Sequence, residues 1–310
     1  MSRSSATPSA TAALFPGQGV SLAGGRELVE QLCPQPYERC CELLGEDPFE
    51  RAAQSTRFAQ PAIFLSSIAG WRALEDSSDA LGDSRGGADP RGAALAGHSL
   101  GELSALTAAS VFALEDALAL VVLRGALMAD AAERHRGGGM LAILKGTPAD
   151  AESLARAHGV EVANDNAPGQ TILSGDRSAL EDAAADARER GLRAMRLDVT
   201  GAFHSRAMQS ACEPFLDALA TVELAEPRVP VYSSMTAAPF RDVRAELAQA
   251  LVRPVRWRET MLALHAAGAR RFLDVGPDRV LARLVDRNVA DSEALVGSEL
   301  AAEVSDGVHA

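Results

Sequence analysis

Aromatic residues are scarce, at 4% of 310 positions, which argues against a surface that stacks nucleic-acid bases. Cationic residues are outnumbered as well. Thirty Lys and Arg face 42 Asp and Glu, for a formal net charge of −12. Nucleic acid is therefore not an expected partner, because its recognition rests on a basic footprint. Cysteine is rare: Cys33, Cys40, Cys41 and Cys212. None forms a C-x-x-C pair and no histidine clusters with them. They read as reduced, mostly buried thiols of a cytosolic protein, with no metal site expected. No apolar run approaches the ~18 residues of a membrane span, so no membrane association is expected. Residues 1–13, rich in Ser, Thr and Ala, lack the apolar core of a secretory signal and are expected to fray.

Hydrophobic residues make up 47% of the chain, enough to bury a substantial core in one large domain or two smaller ones. The most informative stretch is 93–110. A short apolar run ends at Gly97, a helix-like run begins at Leu100, and Gly97-His98-Ser99-Leu100-Gly101 lies between. This is a G-x-S-x-G pattern in the strand–turn–helix setting that such a pattern needs. Glycines on both sides let neighbouring backbone pass close to the serine. The Ser99 hydroxyl then projects beyond the sheet, and the Leu100 N–H faces the same space at the positive end of a helix. Ser99-x-x-Glu102 also fits a capping box, and the two roles are compatible.

A short strand at 13–16 runs into Gly17-Gln18-Gly19, which places Gln18 where open α/β sheets build their sites. The stretch 25–75 reads as helices broken at Pro34, Pro36 and Pro48. Gln60-Pro61 is expected to open an amphipathic helix with Pro61 in its first turn, and 76–92 reads as a surface loop. A long helix follows at 114–135. Its apolar stripe, Leu114, Ala117, Val121 and Met128, also carries Arg124. A cation facing a core needs an anion. That anion is an internal Asp or Glu or a substrate carboxylate, unless the side chain snorkels to water.

Gly137-Gly138-Gly139 reads as a hinge. Beyond it the pattern changes to strand 140–145, helix 148–157, strands 160–163 and 171–174, helix 178–190 and strand 192–199. That β-α-β-β-α-β order is the ferredoxin-like motif. The expected fold is therefore α/β: an α/β-hydrolase-like large domain with a parallel sheet (12–136 and 201–288), plus an inserted ferredoxin-like domain (137–200). Residues 1–11 and 291–310 are expected to be disordered tails.

A serine needs a base. His98 adjoins Ser99 on the wrong side of a sharp turn. His135, His158, His265 and His309 fall on expected surface helices or the tail. His204, after the strand that closes the insertion, is the best base by elimination, although a lone histidine is often structural.

Phe15-Pro16-Gly17-Gln18-Gly19, Gly97-His98-Ser99-Leu100-Gly101-Glu102, Leu123-Arg124-Gly125-x-x-Met128, Asn166-Ala167-Pro168-Gly169-Gln170 and Ala202-Phe203-His204-Ser205 resemble, in this order, the malonyl-CoA:acyl carrier protein transacylases. That family includes the acyltransferases of polyketide synthases, and the likeness covers 12–288. The resemblance implies that Ser99 carries the acyl group with His204 as its base, that Gln18 and the Leu100 N–H face the oxyanion, and that Arg124 holds the malonyl carboxylate. Gln60 and Phe203 would line the substrate site. It further implies no cofactor beyond coenzyme A thioester as substrate, an acyl carrier protein as transient partner, and a cytoplasmic monomer. At Ala250 the family often has glutamine, whose backbone carbonyl orients the histidine; a carbonyl survives the change. Ala202-Phe203-His204 resembles the malonyl-selective pattern rather than the methylmalonyl one. Arg188, Arg190, Arg193 and Arg196, or Arg253, Arg256 and Arg258, would supply a basic patch for an acidic carrier protein. The rival reading on the same fold is an acyl-thioester hydrolase with water as acceptor.

Overall fold

Strand β1 (Ala10–Phe15) is buried along nearly its whole length, and its side chains alternate between two cores. Ala13 and Phe15 face one apolar cluster, and Ala12 and Leu14 face another. A strand buried on both faces reads as a continuous apolar run, which is why Ala12-Ala13-Leu14-Phe15 has no polar alternation. The computed structural model describes residues 10–81 and 94–297. After β1 come α1 (Gly25–Leu32), α2 (Pro34–Leu44), α3 (Pro48–Arg51) and α4 (Thr56–Leu81). Then follow β2 (Ala94–Gly97), α5 (Gly101–Ala108) and α6 (Leu114–Arg134).

The helix expected to start at Gln60 starts at Thr56 instead, and Pro61 lies inside it. Proline lacks the N–H that would meet the Arg57 carbonyl, so the helix runs on with one internal bond missing. It also continues to Leu81, into the stretch expected to be a loop. The remainder of that loop, from 82 on, lies outside the described residues.

A four-stranded antiparallel sheet with two helices comes next in the chain: β3 (Gly138–Leu144), α7 (Pro148–His158), β4 (Glu161–Ala167), β5 (Gln170–Asp176), α8 (Arg177–Glu189) and β6 (Arg193–Arg196). Its order, β4-β5-β3-β6, is that of a ferredoxin-like unit. A Thr147–Asp150 capping box starts α7, as its sequence predicts. Gly138 and Gly139, expected to be a hinge, belong to β3, and only Gly137 makes the turn, at φ 98°. β4 runs through the polar Asn164-Asp165-Asn166 stretch because outside partners satisfy it. The Asp165 N–H donates to the Val255 carbonyl at 2.9 Å, and the Val255 N–H donates to the Ala163 carbonyl at 2.8 Å. The Asp165 carboxylate pairs with Arg258.

The chain then forms a 3₁₀ turn (Arg206–Met208), α9 (Gln209–Ala220), β7 (Val231–Ser233), β8 (Ala238–Pro239), α10 (Val243–Gln249), α11 (Trp257–Ala266), β9 (Ala269–Asp274), α12 (Val280–Asn288) and β10 (Glu293–Val296). The large sheet has the order β10-β9-β1-β2-β7-β8, parallel except for β8 at its edge. The expected tails are corrected at both ends. β1 begins at Ala10, and Glu293–Val296 pairs in parallel with β9, covering an edge that would otherwise offer open hydrogen bonds. Residues 1–9 and 298–310 lie outside the described residues. Among the described residues no helix is long and apolar enough to cross a membrane.

Candidate active site

The turn between β2 and α5 folds back so tightly that side chains are excluded from it. A Cβ on Gly97 would lie 1.9 Å from the Gly101 carbonyl carbon, and one on Gly101 would lie 2.0 Å from the Phe15 carbonyl oxygen. Both glycines are there for close approach. Ser99, between them, holds a left-handed backbone at φ 53°, a strained conformation that places its hydroxyl clear of the sheet. Gly97→Ala should therefore lower stability by at least ~3 kcal/mol. Chemical denaturation checks this, and a variant as stable as the parent would refute the clash.

Glu102 does not reach back to Ser99 as a capping box requires. Its carboxylate accepts from the Ser234 N–H at 2.6 Å and the Ser234 hydroxyl at 3.0 Å. Burial pushes it up to about 7, opposed by those Ser234 donors and then by the charge of Arg124. The capping reading is thus overturned, because the buried carboxylate ties α5 to the end of β7.

The structure brings Ser99 and His204 together across 105 positions of sequence. Ser99 Oγ is 2.8 Å from His204 Nε2. On the other side of the ring, Nδ1 lies 2.9 Å from the Ala250 carbonyl oxygen. A carbonyl only accepts, so Nδ1 carries the proton and Nε2 presents its lone pair to the serine. Burial, with the nearby positive charge of Arg124, pushes His204 down to about 3, so the imidazole is neutral at physiological pH. His204 itself sits at φ 56°.

Arg124 is 4% exposed. Burial lowers it to about 10, and Glu102 opposes that shift. Its Nη1 donates to Gln60 Oε1 and its Nη2 donates to Ser99 Oγ at 3.2 Å. Among the described residues it has no ion pair with a carboxylate. Of the three outcomes open to it in the sequence, a direct internal ion pair is absent among the described residues, and so is the escape to water.

Gln60 is fully buried, donating to Thr56 Oγ1 at 2.8 Å, and the Thr56 hydroxyl donates to Gln18 Oε1 at 2.8 Å. Gln18, Thr56 and Phe203 line a cavity of about 450 Å³ with Ala59, Ile63 and Val199. The Leu100 N–H, just ahead of α5, has no acceptor among the described residues. His98 faces away from Ser99: its Nε2 lies 2.9 Å from Asn166 Oδ1 and its ring packs on Trp257. Asp198 lines the cavity, and among the described residues the His204 ring nitrogens bond to Ser99 and Ala250 and not to Asp198. Among the described residues no cluster of His, Cys, Asp or Glu could hold a metal.

Thr56 was not legible as a site residue. Its signal is the i, i+4 spacing to Gln60, which becomes visible only once the helix is known to start at Thr56. Part of the expected basic patch is already engaged. Arg190 pairs with Asp186, Arg256 with Glu259 and Arg258 with Asp165. Arg188 and Arg196, with Arg177, border a second cavity of about 270 Å³ on the four-stranded sheet.

The family profile described as the acyl transferase domain matches residues 39–306. The chain belongs to the acyl transferase family. It is 35% identical to the malonyl CoA-acyl carrier protein transacylase of Bacillus subtilis, over 88% of this chain and 89% of that one. It is also 35% identical to the polyketide biosynthesis protein ThaF of Burkholderia thailandensis, of which it spans only 24%. The crystal structure of acyl-carrier-protein-S-malonyltransferase from Bartonella henselae superimposes with a TM-score of 0.84 at 32% identity, covering 97% of this chain and 99% of the other. The parallel-rich sheet with its separate antiparallel sheet is thus the fold of this acyltransferase family.

Proposed function

We propose that this acyltransferase moves a malonyl group from coenzyme A to the phosphopantetheine thiol of an acyl carrier protein through an ester on Ser99. The observation that carries the reading is Arg124. It is a buried guanidinium that, among the described residues, makes no ion pair with a carboxylate, and it is hydrogen-bonded to Ser99 Oγ. A malonyl group on Ser99 would bring its free carboxylate to that cation, where a bidentate charge-assisted pair can form. The transacylase and malonyltransferase relatives support the same substrate.

In the first half-reaction His204 Nε2 takes the proton from Ser99 Oγ. The oxygen attacks the thioester carbonyl, and negative charge gathers on the carbonyl oxygen. The Leu100 N–H and the Gln18 amide N–H meet it, each donor worth roughly 3 kcal/mol in comparable sites. The C–S bond breaks, and coenzyme A leaves as the thiol with the proton from His204. In the second half-reaction His204 takes the proton from the pantetheine thiol. The sulfur attacks the ester, and Ser99 leaves with that proton. The cycle is ping-pong. The coenzyme A thioester is thus a substrate and free coenzyme A a product, and the mechanism calls on no cofactor.

Intact-protein mass spectrometry tests the reading after brief mixing with malonyl-CoA, methylmalonyl-CoA and acetyl-CoA in turn. The expected result is a malonyl adduct that is lost in Ser99→Ala and removed by a holo carrier protein. Thioester hydrolysis with no adduct would turn the reading to a hydrolase. A dominant methylmalonyl adduct would change the extender unit.

A further inference from the structure

Glu102 and Arg124 are buried groups of opposite charge that do not touch. Glu102 is 1% exposed and Arg124 4%. Among the described residues neither makes an ion pair; their partners are Ser234, Gln60 and Ser99. Both converge on the nucleophile. Arg124 Nη2 donates to Ser99 Oγ at 3.2 Å. Glu102 lies one turn further along the chain, its N–H donating to the Ser99 carbonyl at 3.0 Å. Each charge favours the ionised form of the other.

The groups that bond to Glu102 are neutral donors. Oε1 accepts from the Ser234 N–H at 2.6 Å and the Ser234 hydroxyl at 3.0 Å. The Ser233 hydroxyl accepts from the Met235 N–H at 3.2 Å and keeps its hydrogen for the carboxylate. A serine hydroxyl donates to a carboxylate and accepts from a carboxylic acid, so both protonation states can be satisfied. The elements packed on α5 bring few other charges. β1 and β2 carry no ionisable side chain, and Tyr232 of β7 belongs to the other core cluster. The described α4 side chains that ionise are Arg57, Arg72 and Glu75, all half-buried; Arg57 pairs with Asp130 and Arg72 donates to the Leu32 carbonyl. On α6 the one buried charge is Arg124.

A malonyl ester on Ser99 brings a second carboxylate to Arg124. Two anions then face one cation away from water, and the surplus negative charge is costly. A proton on Glu102 removes the surplus. We propose that Glu102 competes with the malonyl carboxylate for Arg124, so that the malonyl ester forms best when Glu102 is protonated and otherwise draws a proton from solvent onto Glu102. The proposal rests on the reading of Arg124 as the malonyl grip. Glu102 then sets specificity without touching substrate, and only for acyl groups that carry a carboxylate. Burial pushes Glu102 up to about 7. Preference for malonyl is therefore full below about 7 and falls as pH rises, whereas an acetyl group has no carboxylate with which Glu102 competes.

The test compares Ser99 acylation by malonyl-CoA and acetyl-CoA in the full chain between pH 6 and 8.5, below the range where Arg124, lowered to about 10, loses its charge. The malonyl-to-acetyl ratio of kcat/KM should fall roughly fivefold to tenfold across that range, an ordinary size for coupling between two sites. Glu102→Gln keeps an acceptor for Ser234 and cannot ionise. Its ratio should be flat, and at pH 8.5 should exceed that of the parent. In weak buffer with an indicator dye at pH 7.5, the malonyl ester of the parent should take up about half a proton more than the acetyl ester. Both reactions release the same thiol, so its ionisation cancels, and this measurement needs no variant to fold. A flat ratio in the parent, the same slope in Glu102→Gln, or equal proton uptake for the two esters would each overturn the proposal. Failure of the parent to form a malonyl ester at any pH would instead overturn the transferase reading.

Discussion

His204→Ala is expected to slow acylation of Ser99 by about 10³-fold, within the range that a positioned general base supplies, while leaving the fold intact. The rate of Ser99 acylation, measured across pH, separates this site from an ordinary histidine. A free imidazole titrates near 6.5, whereas burial and Arg124 hold His204 at about 3. Between those two values the unfolded chain binds a proton that the folded chain does not. The stability contributed by the neutral ring is therefore complete above about 6.5 and is lost progressively as pH falls toward 3. Acylation per folded molecule should show no acid limb near 6.5, and activity lost at lower pH should track unfolding seen by circular dichroism. An acid limb near 6.5 in a fully folded sample would contradict a neutral, buried base.

Arg124→Ala should lower malonyl transfer by about 10²-fold or more, the size of effect seen when one partner of a buried charge pair is removed. Acetyl transfer has no carboxylate to lose and should fall less. It should still fall, because the hydrogen bond from Arg124 to Ser99 Oγ is lost as well. Arg124→Lys should not restore the preference, since an ammonium cannot hold Gln60 and a carboxylate with one planar fork. The change should also move His204 upward, as the nearby cation that holds it down is gone. Initial rates with malonyl-CoA and acetyl-CoA decide the matter, and equal losses for both would remove Arg124 from substrate recognition.

The elbow at Ser99 was readable in the sequence because its requirements are local: two glycines, an apolar strand and a helix within nine residues. Arg124 was readable for a similar reason, since helical spacing alone put it on the buried stripe. The ferredoxin-like order followed from caps and alternation. What stayed hidden depends on distant partners. β10 is four residues that become a strand only because β9 has a free edge. The polar end of β4 is ordered by Val255, Arg258 and His98. Thr56 resembles any helix-start threonine until α6 presses Gly125 against it. Pro61 misled most directly. A first-turn proline is the common case, and tolerance of an interior one is set by tertiary packing.

The carbonyl of Ala250 and the N–H of Leu100 belong to the peptide chain, so no side-chain truncation deletes them. A survey of function by alanine replacement would pass over Ala250 without comment, although its oxygen sets the tautomer of His204. Drift at that position is free to change the residue as long as the path of the backbone after α10 is kept. Sequence variation there would understate how closely the site depends on it. Only atomic replacement of the peptide group itself, an ester in place of the Leu100 amide for instance, would make that dependence visible in a rate.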